Sequence, residues 1–173
     1  DIRLVDPVGQ RDPIQQRDPI QQGEWDLVAS SGECMLTSCA VSQAGGSKDG
    51  SGDNSRIFIV DTGVDPHPAL YLPDLESISF TGDNPLEDKN GHGTHVAGIA
   101  AAKPIDIGIP PNDQTFCAGV SAGAPIVSIQ VLNKQGVGKW RNLKMAIDHL
   151  IRVGHNGDIV NMSLGAYCVD NCP

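Results

Sequence analysis

The sequence predicts an α/β protein built on a parallel, doubly wound sheet, and three observations carry that prediction. Short apolar runs recur at 57–60, 126–132 and 159–162. They are continuous rather than alternating, as expected of strands buried on both faces. Helix-like segments stand between them, and strands alternating with helices imply parallel pairing through right-handed crossovers.

The chain opens with a short internal repeat in residues 1–22. Arg11-Asp12-Pro13-Ile14-Gln15-Gln16 recurs as Arg17-Asp18-Pro19-Ile20-Gln21-Gln22, after a degenerate copy, Val5-Asp6-Pro7-Val8-Gly9-Gln10. Six residues are too few for a solenoid unit, and each copy's proline blocks a continuous helix. The segment reads as an extended arm or linker, or as a tether that wraps a partner. Residues 23–55 hold Trp25 and a first cysteine pair, which should dock on the body, and end in a Gly/Ser-rich surface loop, 45–55. The main domain is expected over 56–173.

Within it, Ile57–Val60 is the first strand. His92–Ala102 has the small, apolar character of a buried helix stopped near Pro104. Ile126–Leu132 is the second strand. Trp140–Val153 places Leu143, Ile147, Leu150 and Ile151 at helical spacing, with Gly154 as C-cap. Ile159–Met162 is the third strand. In such sheets a site forms beyond the carboxyl ends of the strands, where Asp61 and Ser163-Leu164-Gly165 fall.

Composition narrows the function classes. The 173 residues suffice for one domain with a sizeable core. A net charge of -9 argues against a nucleic-acid partner and against docking on an anionic membrane. No apolar stretch approaches the roughly 20 residues that span a bilayer. With Asp1 in first place and no leader-like segment, the chain reads as a processed product. Its five cysteines are Cys34 and Cys39, Cys168 and Cys172, and Cys117. The two pairs lie too far apart for a compact zinc motif, so disulfides in a secreted protein are the better reading. Four paired cysteines allow three connectivities, and the fifth is a free thiol or a bridge to another chain.

The chemistry lies in two motifs. Asp61-Thr62-Gly63 closes the first apolar run, and Asn90-Gly91-His92-Gly93-Thr94-His95-Val96-Ala97-Gly98 opens the first helix. A serine nucleophile needs a base whose pKa lies near the working pH, and that base needs an acid to fix its tautomer. Asp61 and His92 would be that acid and base. Two other arrangements compete. Gly119-Val120-Ser121-Ala122-Gly123 matches a nucleophile-elbow pattern, but Pro125 and a strand follow where a helix is required. His92 and His95 with His67 would make a zinc site without the usual glutamate base.

Together with Val160-Asn161-Met162-Ser163-Leu164-Gly165, these motifs resemble three successive signatures of the subtilisin-like serine proteases, over roughly residues 56–167. The resemblance implies that the chain is the N-terminal half of a subtilisin-like catalytic domain. It implies Asp61 as triad acid, His92 as general base and His95 as a structural histidine. Gly136-Val137-Gly138 and Ser163-Leu164-Gly165 would be the two rims that bind a peptide or protein substrate as an added strand. The chemistry would need no cofactor. Structural calcium is an expectation of the resemblance, although the candidate ligands Asp106, Asn112 and Asp113 form no loop motif. The family's serine segment and its oxyanion-hole asparagine find no match, so both should come from a second polypeptide or a missing segment. The expected function is therefore secreted serine endopeptidase, this chain supplying Asp and His. The alternatives are a non-catalytic binding or regulatory subunit of the same fold and a truncated chain.

Overall fold

The computed structural model describes residues 2–3, 55–73, 76–103 and 118–165. All five cysteines, the repeated hexapeptides, Trp25, Pro104 and the calcium candidates Asp106, Asn112 and Asp113 lie outside the described residues.

The elements run β1 (Ile2–Arg3), β2 (Ile57–Asp61), β3 (Ile78–Ser79), α1 (His92–Ala101), β4 (Ile126–Gln130), β5 (Val137–Gly138), α2 (Trp140–Val153) and β6 (Ile159–Asn161). Four strands form one sheet in the order β3-β4-β2-β6. Every pairing in it is parallel, with Ile57 opposite Ile126 on one side and Ile159 on the other. The chain thus has the α/β architecture of its motifs, with β2 at the centre.

The sheet is wound on both faces because β2 is apolar from Ile57 to Val60, and the pleat sends alternate residues to opposite sides. Phe58 and Val60 join Val127, Ile129, Leu143 and Ala146 in one core layer, under α2. Ile57 and Ile59 join Ala97, Ala101 and Ile126 in the other, under α1. Buried Gly93, Ala97 and Ala101 recur every four residues, so α1 lays a stripe of minimal side chains on the sheet and approaches it closely.

The structure corrects several details of the sequence reading. The second strand ends at Gln130, because the amides of Val131 and Leu132 both turn to the Asp61 carbonyl, at 2.9 and 3.1 Å. The third strand ends at Asn161, and α1 at Ala101. On α2, Leu143 and Ala146 are buried, whereas Ile147 is 39% and Ile151 76% exposed. The face on the sheet follows positions 143, 146, 150 and 153, and the apolar residues between them look elsewhere. Gly154 ends α2 with φ -70°, its amide on the Leu150 carbonyl at 2.9 Å, so its cap is not left-handed. The short strands β1 and β3 carried no signal of their own.

Arg56 anchors the sheet's entry edge. It meets Asp158 through Nε (3.1 Å) and Nη2 (2.5 Å), holds both oxygens of Glu76 at 2.8 Å and lies over the Phe58 ring at 5.1 Å. One side chain therefore ties the start of β2 to the turn that enters β6. The guanidinium pulls the Asp158 carboxyl below its usual range, and Asp158 in turn raises the pKa of Arg56.

Candidate active site

Asp61 is the last residue of the central strand and is fully buried. The surrounding backbone fixes it. Its carbonyl receives the Val131 and Leu132 amides, and the next carbonyl, of Thr62, accepts Gln130 Nε2 at 2.7 Å. Gln130 Oε1 is held in turn by Ser79 Oγ at 2.8 Å and Thr81 Oγ1 at 3.2 Å. The Asp61 carboxylate accepts the Thr62 amide at 2.7 Å, so its own turn holds the side chain in place.

His92 is the first residue of α1. Its Nδ1 lies 2.9 Å from each oxygen of Asp61. A carboxylate oxygen can only accept here, so Nδ1 carries the proton and Nε2 is left as the basic nitrogen. The imidazole is 30% exposed and its acid partner 1%. The hydrogen bond to Asp61 raises the His92 pKa above its ordinary value, against a smaller opposing effect of burial, and the charges of Asp61 and Asp88 add to the rise.

The helix reaches the strand because Gly93 has no side chain. A Cβ there would press into the Gly63 carbonyl oxygen and lie 3.1 Å from Asp61 Cβ. Before the helix, Gly91 takes φ 90°, a conformation glycine adopts freely. Two of the helix's first amides find side-chain acceptors: Gly93 N–H on Thr62 Oγ1 at 3.1 Å, and Thr94 N–H on Asp88 Oδ2 at 2.8 Å. Asp88, only 6% exposed, is the residue that the sequence reading missed. An acid a few positions ahead of a helix start was the available signal.

The remaining candidates sit around this pair. Because β4 and β6 flank β2, the segments that follow them emerge on either side of Asp61. Gly136 (φ 69°), Val137 and Gly138 follow β4. Their turn is tied to the His92 loop by Asn90 Nδ2 on the Lys134 carbonyl at 3.0 Å. Ser163, Leu164 and Gly165 follow β6. Ser163 Oγ donates to Asn161 Oδ1 at 2.8 Å, and Leu164 packs partly against the core. The β5 edge already carries a strand: β1 pairs with it antiparallel, Ile2 opposite Gly138 and Arg3 opposite Val137.

The competing arrangements are not assembled. The Ser121 amide bonds to the Ala100 carbonyl at the far end of α1, roughly 12 Å along the helix from His92 at about 1.5 Å per residue. The serine precedes β4, at the opposite end of the parallel strands from Asp61. His95 lies on the exposed side of α1, and His67 Nδ1 accepts the Ala69 amide at 3.1 Å. Among the described residues, no three His, Cys, Asp or Glu side chains converge as a metal site, so His92, His95 and His67 do not form the alternative zinc triad.

The sequence that places a strand-end aspartate against a helix-start histidine has known relatives. The sequence profile of the subtilase family (Peptidase_S8) matches residues 52–172. This chain belongs to the subtilase family. Minor extracellular protease Epr of Bacillus subtilis is 37% identical over 116 residues, covering 66% of this chain and 16% of that protein. The thermostable alkaline protease of Halalkalibacterium halodurans is 35% identical over 116 residues, covering 66% of this chain and 29% of its own. An intracellular serine protease of Paenibacillus polymyxa is 36% identical over 120 residues, covering 66% and 34%. The chain thus spans about a third or less of the length of these curated relatives.

Proposed function

We propose that this subtilase chain is the acid- and base-bearing part of a serine endopeptidase. Peptide hydrolysis would proceed through an acyl-enzyme. His92 Nε2 takes the proton of a serine hydroxyl as that oxygen attacks the scissile carbonyl, and then delivers it to the leaving amine. Asp61 holds the tautomer and stabilises the imidazolium. The observation that carries this reading is the Asp61–His92 contact, with Nδ1 bonded to a buried carboxylate and the ring partly open to solvent.

The serine and the oxyanion donors belong, in this reading, to a second chain or a further segment. Two observations support that. The relatives are far longer than this chain. In addition, β6 is an edge of the described sheet and leaves Ile159, Val160 and Met162 exposed, as α2 leaves Ile151. Apolar surface of this kind is suited to an obligate interface rather than to water. The β1–β5 pairing supports the rim assignment, because it is an instance of an extended backbone adding to that edge. The cysteine count supports secretion. No described helix is long and apolar enough to cross a membrane.

The test is reconstitution. The chain is combined with a subtilase C-terminal segment carrying the serine, and hydrolysis of an extended peptide is followed for wild type and for His92→Ala. Turnover that disappears with His92 supports the peptidase. A stable, inactive complex retaining the Asp61–His92 contact would favour the non-catalytic binding subunit instead.

A further inference from the structure

We propose that Asp88 is the positioning residue of the Asp61–His92 pair, its carboxylate fixing the start of α1 against the end of β2. The inference rests on reading Asp61 and His92 as acid and base. The pair joins two separate elements, and side chains make the junction. Thr62 Oγ1, one residue beyond Asp61, accepts the Gly93 amide at 3.1 Å and donates to Asp88 Oδ1 at 2.8 Å. Asp88 Oδ1 also accepts the amides of Asn90 at 3.2 Å and Gly91 at 2.9 Å. Its Oδ2 accepts the Thr94 amide at 2.8 Å and the Thr94 hydroxyl at 2.7 Å. The carboxylate is itself located, since the Asp88 amide donates to Asp65 Oδ1 at 2.7 Å while the Asp65 amide donates to Thr94 Oγ1 at 3.0 Å.

Five donors therefore converge on one buried carboxylate, from the loop, the helix and the residue next to Asp61. Two acceptor oxygens are required to serve them. An asparagine supplies one, and its amide nitrogen would face donors on the other side. Asp88→Asn should thus release either the Thr94 side or the Thr62–Gly91 side, and the start of α1 would move. His92 Nδ1 would then leave its place between the Asp61 oxygens. Asp61 and Asp88 are the charged groups that raise the His92 pKa, so charge and position must be separated by design.

The experiment is an NMR titration of the His92 ring in the full chain, a readout that needs no serine and no hydrolysis. Asp88→Asn should lower the His92 pKa by about one pH unit, a tenfold change in proton affinity. Thr62→Val removes neither carboxylate and should also lower it, while Thr62→Ser should restore it. In an Asp61→Asn background, Asp88→Asn should give a smaller drop, that of its charge alone, because positioning acts only through Asp61. An equal drop in that background would mean that Asp88 acts by charge alone, and would overturn the proposal. So would an unmoved His92 pKa in folded Asp88→Asn or, should that variant not fold, in Thr62→Val. Absent hydrolysis in the reconstituted protein would count against the peptidase reading and leave the titration result standing.

Discussion

His92 is half of a contact whose protonation should set both the stability of the fold and, in the proposed enzyme, turnover, with opposite signs. Its pKa is raised in the folded chain, first by the hydrogen bond to Asp61. The charged pair therefore stabilises the fold fully below the unfolded histidine value of about 6.5. That contribution fades as pH rises through the higher folded value. Activity runs the other way, since the base must be neutral, so kcat/KM should climb through the raised value. A pH profile of the reconstituted enzyme checks this, and a half-maximum at or below the ordinary histidine value would contradict it. Asp61→Asn should leave peptide binding intact and lower kcat by about 10⁴, whereas His92→Ala should remove nearly all serine-dependent turnover. These two residues were legible in the sequence because each sits in a motif that also encodes its backbone: a turn after a strand, and glycines around a helix start. Asp88 was legible only as an acid ahead of a helix start, not as a support of the pair. Its partners Thr62 and Thr94 come together only in the tertiary structure, and a lone acid before a helix has the bland reading of a cap.

At the scale of elements, α1 shows how the sequence positions the site. Its buried stripe of Gly93, Ala97 and Ala101 brings the helix backbone down to the sheet, and small residues were a visible sign of close packing. Two glycines of this helix should respond oppositely to the same substitution. Gly93→Ala forces a Cβ onto the Gly63 carbonyl and against Asp61. It should cost about 1–3 kcal/mol of overpacking and reduce turnover by displacing His92. Gly98→Ala meets nothing within 4 Å, and should stabilise the helix by about 0.5–1 kcal/mol with activity unchanged. Paired denaturation curves and rates decide; equal effects would mean that the approach of α1 to β2 is not set by Gly93. Less was legible on α2. Helical period identified it, but period alone does not say which apolar residues face the sheet. Leu143 is buried and Ile151, eight positions on, is exposed. The early end of β4 was likewise invisible, because it follows from two amides turning to the single carbonyl of Asp61.

At the scale of the whole molecule, the chain's own first residues lie where the proposed substrate would lie. β1 pairs antiparallel with β5 through Ile2 and Arg3, and a strand edge accepts one partner at a time. A peptide that adds to β5 must first displace this segment, and its apparent affinity is reduced by the fraction of molecules in which the edge is taken. Removing residues 1–3 should therefore lower KM for extended peptides, which use the rim, and leave KM for short esters unchanged, since they reach only the scissile position. The values of kcat should stay close to wild type, because Asp61, His92 and their supports are untouched. The deletion is the better probe of this rim. A side chain at Gly138 would meet the Val131 carbonyl oxygen at 2.6 Å and Leu132 Cδ2 at 2.7 Å, so Gly138→Val would disturb packing and binding together. The check is a steady-state comparison of the intact and shortened chains in the reconstituted enzyme, on a long and a short substrate. Identical KM values on the long peptide would show that β1 does not compete for the edge, and a fall of equal size on both substrates would place its effect at the scissile position rather than along β5.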